Sequence, residues 1–316
     1  MAPSPREVDV LIVGGGPAGL SAGLVLGRSR RSVLVVDAGE PRNAPAHAMH
    51  AFLTRDGLSP LKFLELGRAE VGRYGVEFRT GRAMTASRRG DRFRVELADG
   101  GTVLARRLVI TTGLVDELPA VPGLAERWGR DVIHCPYCHG WEFRDCIIGV
   151  LATSPLSLHQ VGLFRQLSHR VVLLTHTGPT PDGEQIATLA ARDVDVVEGE
   201  VIAVEVRDDA LVGARLADGQ LIALEALAVA PRFVARSELL ATLGVRTVDH
   251  PSGAGVHVPA DAMGATEIPG VWVAGNVTDL SAPVIAAAAQ GNRAGAAVNA
   301  DLVAEDAALA RKGSGA

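Results

Sequence analysis

The segment Val132 to Glu142, VIHCPYCHGWE, holds two of the three cysteines of the chain, Cys135 and Cys138. Thiols separated by two residues can close a small disulfide, and a helix N-terminus favours the reactive thiolate. With Cys135 as N-cap, Pro136 fits the first helical position, where its missing N–H would be unpaired anyway. His139 follows directly and can exchange protons near neutral pH. The segment therefore predicts a cysteine pair that cycles between dithiol and disulfide.

Three other interpretations of this motif are weaker. A structural zinc site uses four ligands, and Cys146 is the only other thiol, so we expect no metal. A static disulfide between such close cysteines would restrain the unfolded chain little. A glutaredoxin-like domain needs a long helix after CPYC, whereas a strand pattern, IIGVLAT, begins nine residues past Cys138.

Composition limits the class of protein. The 316 residues, 47% of them hydrophobic, are enough for two domains with separate cores. A net charge of −5 without a basic run argues against nucleic acid as a partner. The apolar stretches fall short of the ~18 residues that span a bilayer, and MAPSPREV lacks the features of a signal peptide. We therefore expect no membrane partner and a cytoplasmic protein, in which a CxxC is more often catalytic than structural.

The N-terminal region has the pattern of a dinucleotide-binding unit. An apolar strand, Val8 to Val13, runs into GGGPAG with Gly14, Gly16 and Gly19, then a small-residue helix, then a strand that ends at Asp37. The first glycine permits the tight turn, the second lets the backbone approach a pyrophosphate, and the third allows close packing of helix on strand. The helix N-terminus faces the phosphates, and Asp37 can accept a hydrogen bond from a ribose hydroxyl.

A loop and three strands follow. Residues 41–60 are rich in turn formers, and we expect a loop near the ligand. Its His50 and Asp56 fit a catalytic role or an ordinary solvated loop, and the sequence leaves both open. Leu61 to Tyr74 has helical spacing, and VEFRTG, FRVELADG and LVITTG are typical of strands.

The middle of the chain repeats the first unit coarsely. After the prolines between Asp116 and Gly123 come the CxxC, the strand IIGVLATS, a helix and the strand VVLLTH, the outline of a second dinucleotide-binding unit. Its phosphate turn is eroded, because GVLATS from Gly149 to Ser154 retains only the first glycine. Leu151 places a side chain where backbone would meet the pyrophosphate, so we predict that it obstructs NADPH. LTHTGP also lacks arginines that would hold a 2′-phosphate.

From about Gly244 the chain returns to the character of its first domain. PGVWVAGN is a strand that ends in Gly275 and Asn276, and Pro283 to Leu302 is an alanine-rich helix. The N-terminus of this helix can offer backbone N–H groups to an electron-rich ring. We predict an α/β fold of two Rossmann-like, three-layer ββα dinucleotide-binding domains. The predicted boundaries are 1–115 plus 245–316 for the first domain and 116–244 for the inserted second domain.

These motifs together identify a family resemblance. Through GGGPAG at 14–19, TTG at 111–113, CPYC at 135–138 and AGN at 274–276, the chain resembles the low-molecular-weight thioredoxin reductase group of flavoproteins. The resemblance implies an FAD domain made of both chain ends, an inserted NAD(P)-binding-like domain that carries the CxxC, and a homodimer. CPYCHG beside an eroded nucleotide turn is similar to the dithiol oxidases of gliotoxin and holomycin biosynthesis. Those enzymes close a disulfide in a small molecule and reoxidise their flavin with O2.

The resemblance also implies residue roles. Cys138 is the flavin-proximal thiol, Cys135 is the exchange thiol that meets the substrate, and His139 stands where the family has an acid. Asn276 replaces the acid of a C-terminal GD motif and can still hydrogen-bond the ribityl chain or a phosphate. The expected FAD-binding residues are Gly14, Gly16, Pro17, Ala18, Gly19, Asp37, Gly113, Gly275, Asn276 and Val284.

Three functions are compatible with this pattern. The leading hypothesis is an FAD-dependent dithiol:disulfide oxidoreductase that oxidises a small-molecule dithiol with O2 as acceptor. The second is a thioredoxin reductase-like enzyme that passes electrons from NADPH or another donor to a protein disulfide, such as that of a thioredoxin-like protein. The third is a non-enzymatic flavin-binding redox sensor.

Overall fold

The computed structural model describes residues 5–313, and the chain forms two compact units. Unit 1 comprises the N-terminal residues up to Ala44, Pro60–Val115 and the chain from Phe233 onward. Unit 2 comprises Pro45–Ser59 and Asp116–Arg232. This division differs from the predicted boundaries at two places, because residues 45–59 fold with unit 2 and residues 233–244 fold with unit 1.

The elements are numbered here in chain order. The strands are β1 (Arg6–Val13), β2 (Val33–Asp37), β3 (Glu77–Thr80), β4 (Ala83–Arg89), β5 (Arg92–Leu97), β6 (Thr102–Ile110), β7 (Leu114–Glu117), β8 (Val132–Ile133), β9 (Ile148–Leu151), β10 (Val171–Leu174), β11 (Val194–Val197), β12 (Val201–Arg207), β13 (Ala210–Leu216), β14 (Leu221–Ala223), β15 (Ala226–Val229), β16 (Arg232–Ala235), β17 (Val248–Asp249), β18 (Gly255–His257) and β19 (Val271–Val273). The helices are α1 (Pro17–Arg28), α2 (Pro60–Gly72), α3 (Pro136–His139), α4 (Leu156–Phe164), α5 (Gly183–Ala190), α6 (Glu238–Ala241) and α7 (Val284–Gly313). Among the helices within residues 5–313, none combines the length and apolar character needed to cross a bilayer.

Unit 1 is built on a seven-stranded sheet. Its order is β3-β2-β1-β6-β5-β4, with β19 paired to β6. Strand β1 runs parallel to β2 and β6, and Val10, Leu11 and Ile12 are fully buried. A parallel strand that is covered on both faces needs apolar residues on both faces, which explains the continuous apolar run in the sequence. The carboxyl ends of β1, β6 and β19 therefore lie at the same edge of the sheet.

Helices α1 and α7 pack closely through small residues. A Cβ at Gly291 would overlap the Ala18 carbonyl oxygen, and one at Gly295 would lie 2.9 Å from the Ala22 oxygen. The predicted helix ended at Leu302, but α7 continues to Gly313. The added turns carry Glu305, which pairs with Arg106 of β6 and so fixes the helix to the sheet.

Residues 233–244 belong to unit 1 because of their packing. Leu239 and Leu240 are buried in the same hydrophobic core as the sheet strands of this unit. The Thr242 hydroxyl accepts a hydrogen bond from the Ala86 N–H at 2.9 Å and lies 3.1 Å from the Ala86 oxygen. The predicted boundary at residue 245 therefore lies too far along the chain, because a short amphipathic helix gives no sign in sequence of which core it joins.

Unit 2 repeats the parallel arrangement on a smaller scale. Its main sheet has the order β11-β10-β9-β15-β8, and a second, antiparallel sheet has the order β12-β13-β14. All four residues of β9 are buried, and β9, α4 and β10 form a parallel strand–helix–strand unit. A further four-stranded sheet, of order β17-β18-β16-β7, is formed mainly by residues of unit 1.

Candidate active site

The cysteine pair lies at the start of helix α3 in unit 2. Cys135 is the N-cap of this helix and Pro136 its first residue, as the sequence predicted. Cys135 and Cys138 form a disulfide with a Cα–Cα distance of 5.2 Å. The backbone N–H groups of Cys138 and His139 donate to the Cys135 oxygen at 3.2 and 3.1 Å. A single helical turn thus brings the two sulfurs together at a helix start.

Helix α4 holds the segment that precedes the disulfide. Gln160, which is 6% exposed, donates from Nε2 to the His134 carbonyl oxygen at 2.8 Å. Gly140 ends the turn, and a Cβ there would overlap the Pro136 oxygen and the Leu167 side chain. The backbone on both sides of the CxxC is therefore fixed by close packing within unit 2.

His139 has an unusual polar environment. Its Nε2 is buried and has no hydrogen-bond partner among the described residues. Burial lowers the pKa of His139 below its ordinary value, the Glu142 carboxylate opposes this shift, and His50 adds to it. The imidazole is therefore predominantly neutral at pH 7 and able to accept a proton from a thiol.

A second histidine reaches this region from a distant part of the sequence. His50 Nε2 lies 3.3 Å from Glu142 Oε1, and His50 Nδ1 lies 3.4 Å from Asp56 Oδ2. Asp56 Oδ1 accepts the Ala51 N–H at 2.8 Å. The sequence left His50 and Asp56 undecided and missed Glu142. The available signal was that Glu142 follows His139 by three residues, a spacing that shares a face of a helical turn.

Two aromatic side chains of the CxxC segment are exposed. Tyr137 between the two cysteines is 73% exposed, and Trp141 is 64% exposed. The Arg144 guanidinium lies over the Trp141 ring, 4.5 Å from its centroid. These rings provide exposed apolar area in the same segment as the two cysteines.

The first phosphate turn, in unit 1, retains the features of a dinucleotide site. Gly14 has φ +106°, a conformation that suits glycine, and a Cβ there would overlap the Thr111 oxygen. A Cβ at Gly19 would overlap the Gly14 oxygen. At Gly16, the N-cap of α1, a Cβ would have no atom within 4 Å, so the backbone is open to a ligand. This cradle and the free N–H groups of α1 fit the pyrophosphate of FAD.

Asp37 lies beneath this turn. Its Oδ1 accepts the Gly15 N–H at 2.9 Å, and its Oδ2 forms an ion pair with Arg68, which the sequence reasoning did not identify. Each carboxylate oxygen keeps a further lone pair that can accept a ribose hydroxyl. Asp37 therefore holds the shape of the turn and also remains able to bind the cofactor.

The remaining predicted cofactor residues of unit 1 lie near the same edge of the sheet. Gly113 (φ +73°) follows β6, Gly275 (φ +80°) follows β19, and Val284 begins α7. A Cβ at Gly275 would lie 3.1 Å from the Ala18 Cβ. The chain just after β19 therefore packs closely against the first turn of α1. The fold of unit 1 therefore brings predicted cofactor residues from the N-terminal and C-terminal parts of the chain close together.

Asn276 is more constrained than the sequence suggested. Its Nδ2 donates to the Asp279 oxygen at 3.0 Å and to the Ala282 oxygen at 2.9 Å, and its Oδ1 faces Arg42 at 3.4 Å. With both amide hydrogens used by the backbone, only Oδ1 can meet a ligand. An oxygen acceptor suits a ribityl hydroxyl better than a phosphate oxygen, so this arrangement favours the ribityl alternative.

The second phosphate turn is closed, but not in the way predicted. Leu151 is the last residue of β9 and is fully buried in the core, so it does not obstruct the turn. Gly149 lies inside the strand. Counted from the strand end as Gly14, Gly16 and Gly19 follow Val13, the three glycine positions are occupied by Ala152, Ser154 and Ser157.

Internal contacts fill this second turn. The Thr153 N–H donates to the Ser157 hydroxyl at 3.3 Å, and the Ala152 N–H donates to the Leu174 oxygen at 2.8 Å. Gly178 approaches so closely that a Cβ there would lie 2.7 Å from the Ala152 carbonyl carbon. The two N–H bonds have counterparts in the first turn, where Gly14 donates to the Val36 oxygen and Gly15 to Asp37. The second turn is therefore distinguished by the close approach of Gly178 and by the side chains that replace glycines.

Comparison with known proteins agrees with this geometry. The family model for pyridine nucleotide-disulphide oxidoreductases matches residues 8–291. Thioredoxin reductase tcpT of Claviceps purpurea (strain 20.1) is 34% identical over 249 residues, which cover 75% of this chain and 78% of tcpT. Thioredoxin reductase sirT of Leptosphaeria maculans is 40% identical over 148 residues, so the match spans 45% of sirT.

The solved structures support the same assignment. The crystal structure of HlmI has a TM-score of 0.92 and 44% sequence identity, over 98% of this chain and 96% of HlmI. The predicted resemblance, the α/β fold and FAD as cofactor are confirmed. The chain belongs to the pyridine nucleotide-disulphide oxidoreductase family and is an FAD-dependent, thioredoxin reductase-like enzyme.

Proposed function

We propose that this flavoenzyme oxidises the two thiols of a small molecule to a disulfide, with O2 as the final electron acceptor. The observation that carries the proposal is the contrast between an intact CxxC centre and a second phosphate turn in which Ala152, Ser154 and Ser157 replace glycines. If the second unit has no NADPH site, the electrons come from another donor, which in this proposal is the thiol substrate. The resemblance to dithiol oxidases through CPYCHG supports the same direction.

The cysteine chemistry proceeds by thiol–disulfide exchange. A substrate thiolate attacks the sulfur of Cys135, which breaks the Cys135–Cys138 bond and gives a mixed disulfide. The second substrate thiol displaces Cys135, so the substrate leaves as a disulfide and the protein holds two thiols. His139 accepts a proton from an attacking thiol and returns it to a leaving sulfur. Bound FAD supplies the acceptor for the electron pair of the protein dithiol, and O2 takes the pair onward to give hydrogen peroxide.

Unit 1 is the proposed FAD-binding domain, and unit 2 is the proposed NAD(P)-binding-like domain that carries the CxxC. The residues proposed to hold FAD are those that the sequence predicted, namely Gly14, Gly16, Pro17, Ala18, Gly19, Asp37, Gly113, Gly275, Asn276 and Val284. Tyr137 and Trp141 provide apolar contact area for the dithiol. We further propose that the protein is a cytoplasmic homodimer. Light scattering would measure the mass of this dimer.

A thioredoxin reductase-like activity is the second candidate. It is favoured by the names of tcpT and sirT, which are both called thioredoxin reductases. In this case NADPH or another donor would supply electrons, and a thioredoxin-like protein would accept them at Cys135.

Anaerobic stopped-flow mixing separates the two candidates. Dithiothreitol should bleach the flavin absorbance, NADPH should leave it unchanged, and admission of O2 should restore the colour with one peroxide formed per dithiol oxidised. Rapid bleaching by NADPH would contradict the oxidase and favour the reductase.

A further inference from the structure

Residues 45–59, here called the histidine segment, have a defined shape within unit 2. Met49 and Leu58 form an antiparallel bridge, with the Gly57 N–H donating to the Met49 oxygen at 2.9 Å. Ala51 (φ +59°) and Thr54 (φ +72°) adopt the left-handed conformation, which costs energy for residues other than glycine. A segment that keeps such strain is held by its surroundings.

One of these surroundings is the contact between the start of the segment and the rest of unit 2. A Cβ at Gly129 would lie 2.9 Å from the Pro45 Cβ, so the two backbones approach closely. Within the segment, Asp56 accepts the Ala51 N–H, and this bond together with the His50 contact lowers the pKa of Asp56. The result is a loop that presents the His50 ring at a fixed place.

His50 lies between two carboxylates. Its Nε2 faces Glu142 at 3.3 Å and its Nδ1 faces Asp56 at 3.4 Å. A neutral imidazole has one N–H donor, so both ring nitrogens can donate only in the protonated ring. The His50 side chain is 21% exposed, and Glu142, which it contacts, follows the CxxC helix by three residues.

We propose that His50, held between Asp56 and Glu142, is a positioning residue that acts through Glu142 on His139. This inference rests on the proposed role of His139 in thiol exchange. The Glu142 carboxylate stabilises the imidazolium form of His139, whereas a protonated His50 repels that form and neutralises Glu142. The histidine segment therefore adjusts how readily His139 takes a proton from the substrate.

Few ionisable groups act on the pKa of His139. The turn after α3 contributes Glu142, and the histidine segment contributes His50 with Asp56 behind it. Helix α3 carries Cys138 directly before His139 in the chain, and α4 contributes the neutral Gln160, which donates to the His134 oxygen. Among the described residues, Glu142 and His50 are the ionisable groups that act on His139, and a protonated His50 would act in the direction opposite to the Glu142 carboxylate.

Opposite signs make a direct test possible. The FAD holoenzyme with ¹³C-labelled histidine rings is titrated by NMR, and the His139 signal is assigned with His139→Gln. Glu142→Gln should move the His139 midpoint to lower pH, because it removes the stabilising carboxylate. His50→Gln should move it to higher pH, because it removes the repelling cation. Asp56→Asn should move it in the same direction as His50→Gln, but less.

Exposed positions elsewhere in unit 2 provide matched controls. Glu184→Gln and His169→Gln remove the same kinds of charge and should leave the His139 midpoint unchanged. Midpoints that move in the same direction in Glu142→Gln and His50→Gln, or that do not move, would overturn the proposal.

The titration needs no substrate, so its failure is distinct from failure of the proposed function. The functional measurement is the rate of anaerobic flavin reduction by dithiothreitol as a function of pH. The pH midpoint of this rate should shift in each variant in the same direction as the NMR midpoint of His139. Shifted midpoints in a protein that no dithiol reduces would overturn the dithiol oxidase and leave the His139 assignment standing. If neither Glu142→Gln nor His50→Gln shifts the pH profile of flavin reduction, the proposed role of the histidine segment is overturned.

Discussion

The two strand–turn–helix–strand units of this enzyme share a topology and differ in what their turns can bind. In the first, β1 is followed by glycines at three positions, and the N-cap Gly16 leaves its backbone open. In the second, β9 is followed by alanine and serines, and the Ser157 hydroxyl takes the Thr153 N–H. In both turns a side chain accepts the N–H two residues past the strand, Asp37 for Gly15 and Ser157 for Thr153. The turns differ in the side chains that replace glycines and in the close approach of Gly178 to Ala152.

Under the proposed function, unit 2 keeps a nucleotide-binding fold for another purpose. The parallel strands β8, β9 and β15 of unit 2 position the chain between β8 and β9, and that connection carries Cys135, Cys138 and His139. In unit 2 the cysteine pair thus lies in the connection between β8 and β9 and not in the phosphate turn. Substitutions in the two turns and in the CxxC test how complete this division is.

The largest effect is expected from the cysteines. Cys135→Ser and Cys138→Ser should each abolish turnover of a dithiol, because neither variant can form the internal disulfide. Cys135→Ser leaves Cys138 as the sole thiol of the pair and should show the long-wavelength charge-transfer absorption of a thiolate next to oxidised flavin, and Cys138→Ser should not. Ser154→Ala, in the second turn, should retain turnover. Identical spectra of the two cysteine variants would contradict their assigned roles.

The next effect concerns the first turn. Gly19→Ser places there the residue that stands at the corresponding position of the second turn, and its Cβ would overlap the Gly14 oxygen. Strain of about 2–3 kcal/mol should weaken FAD binding by roughly 10²-fold, so the protein should purify with little flavin colour. Gly72→Ser, where a Cβ meets nothing within 4 Å, is the matched control. A Gly19→Ser protein that keeps stoichiometric FAD would show that the glycine is dispensable.

His139 gives the third prediction. Because burial lowers the pKa of His139, its base form dominates above an unusually low pH. Flavin reduction by dithiothreitol should therefore rise with pH and level off above a midpoint below the ordinary value of 6.5. His139→Ala should slow the reduction by ~10² or more and remove this limb, whereas His169→Ala should change neither. An unchanged rate would leave His139 a structural role only.

The smallest effect is expected from restoring glycines to the second turn. The triple variant Ala152→Gly, Ser154→Gly, Ser157→Gly repeats the pattern of the first turn. Because the Gly178 segment still lies against residue 152, and no arginine follows β10 directly, NADPH should still fail to bleach the flavin under anaerobic conditions. Bleaching by NADPH in this variant alone would show that glycines were the only missing feature.

Sequence and structure contributed differently to these two units. The strand, glycine turn, helix and acid of the first unit could be predicted because each depends on neighbours in the chain. The same holds for Cys135 as N-cap and Pro136 as first helical residue. In the second unit, by contrast, the sequence placed the glycine frame at Gly149 and assigned an obstructing role to Leu151. Without a glycine to mark the end of β9, an apolar run of this kind does not reveal where the strand stops.

The amino-acid sequence by itself determined the family, the cofactor, the redox motif and the first phosphate turn, since these are encoded in short contiguous patterns. Only the tertiary structure decided that residues 45–59 fold with unit 2, that His50 meets Glu142 and that the amide hydrogens of Asn276 are already used. Each of these features joins residues that are distant in the chain or depends on which donors remain free. Such pairings are set by packing and by the requirement to satisfy buried polar groups, and no local pattern specifies them.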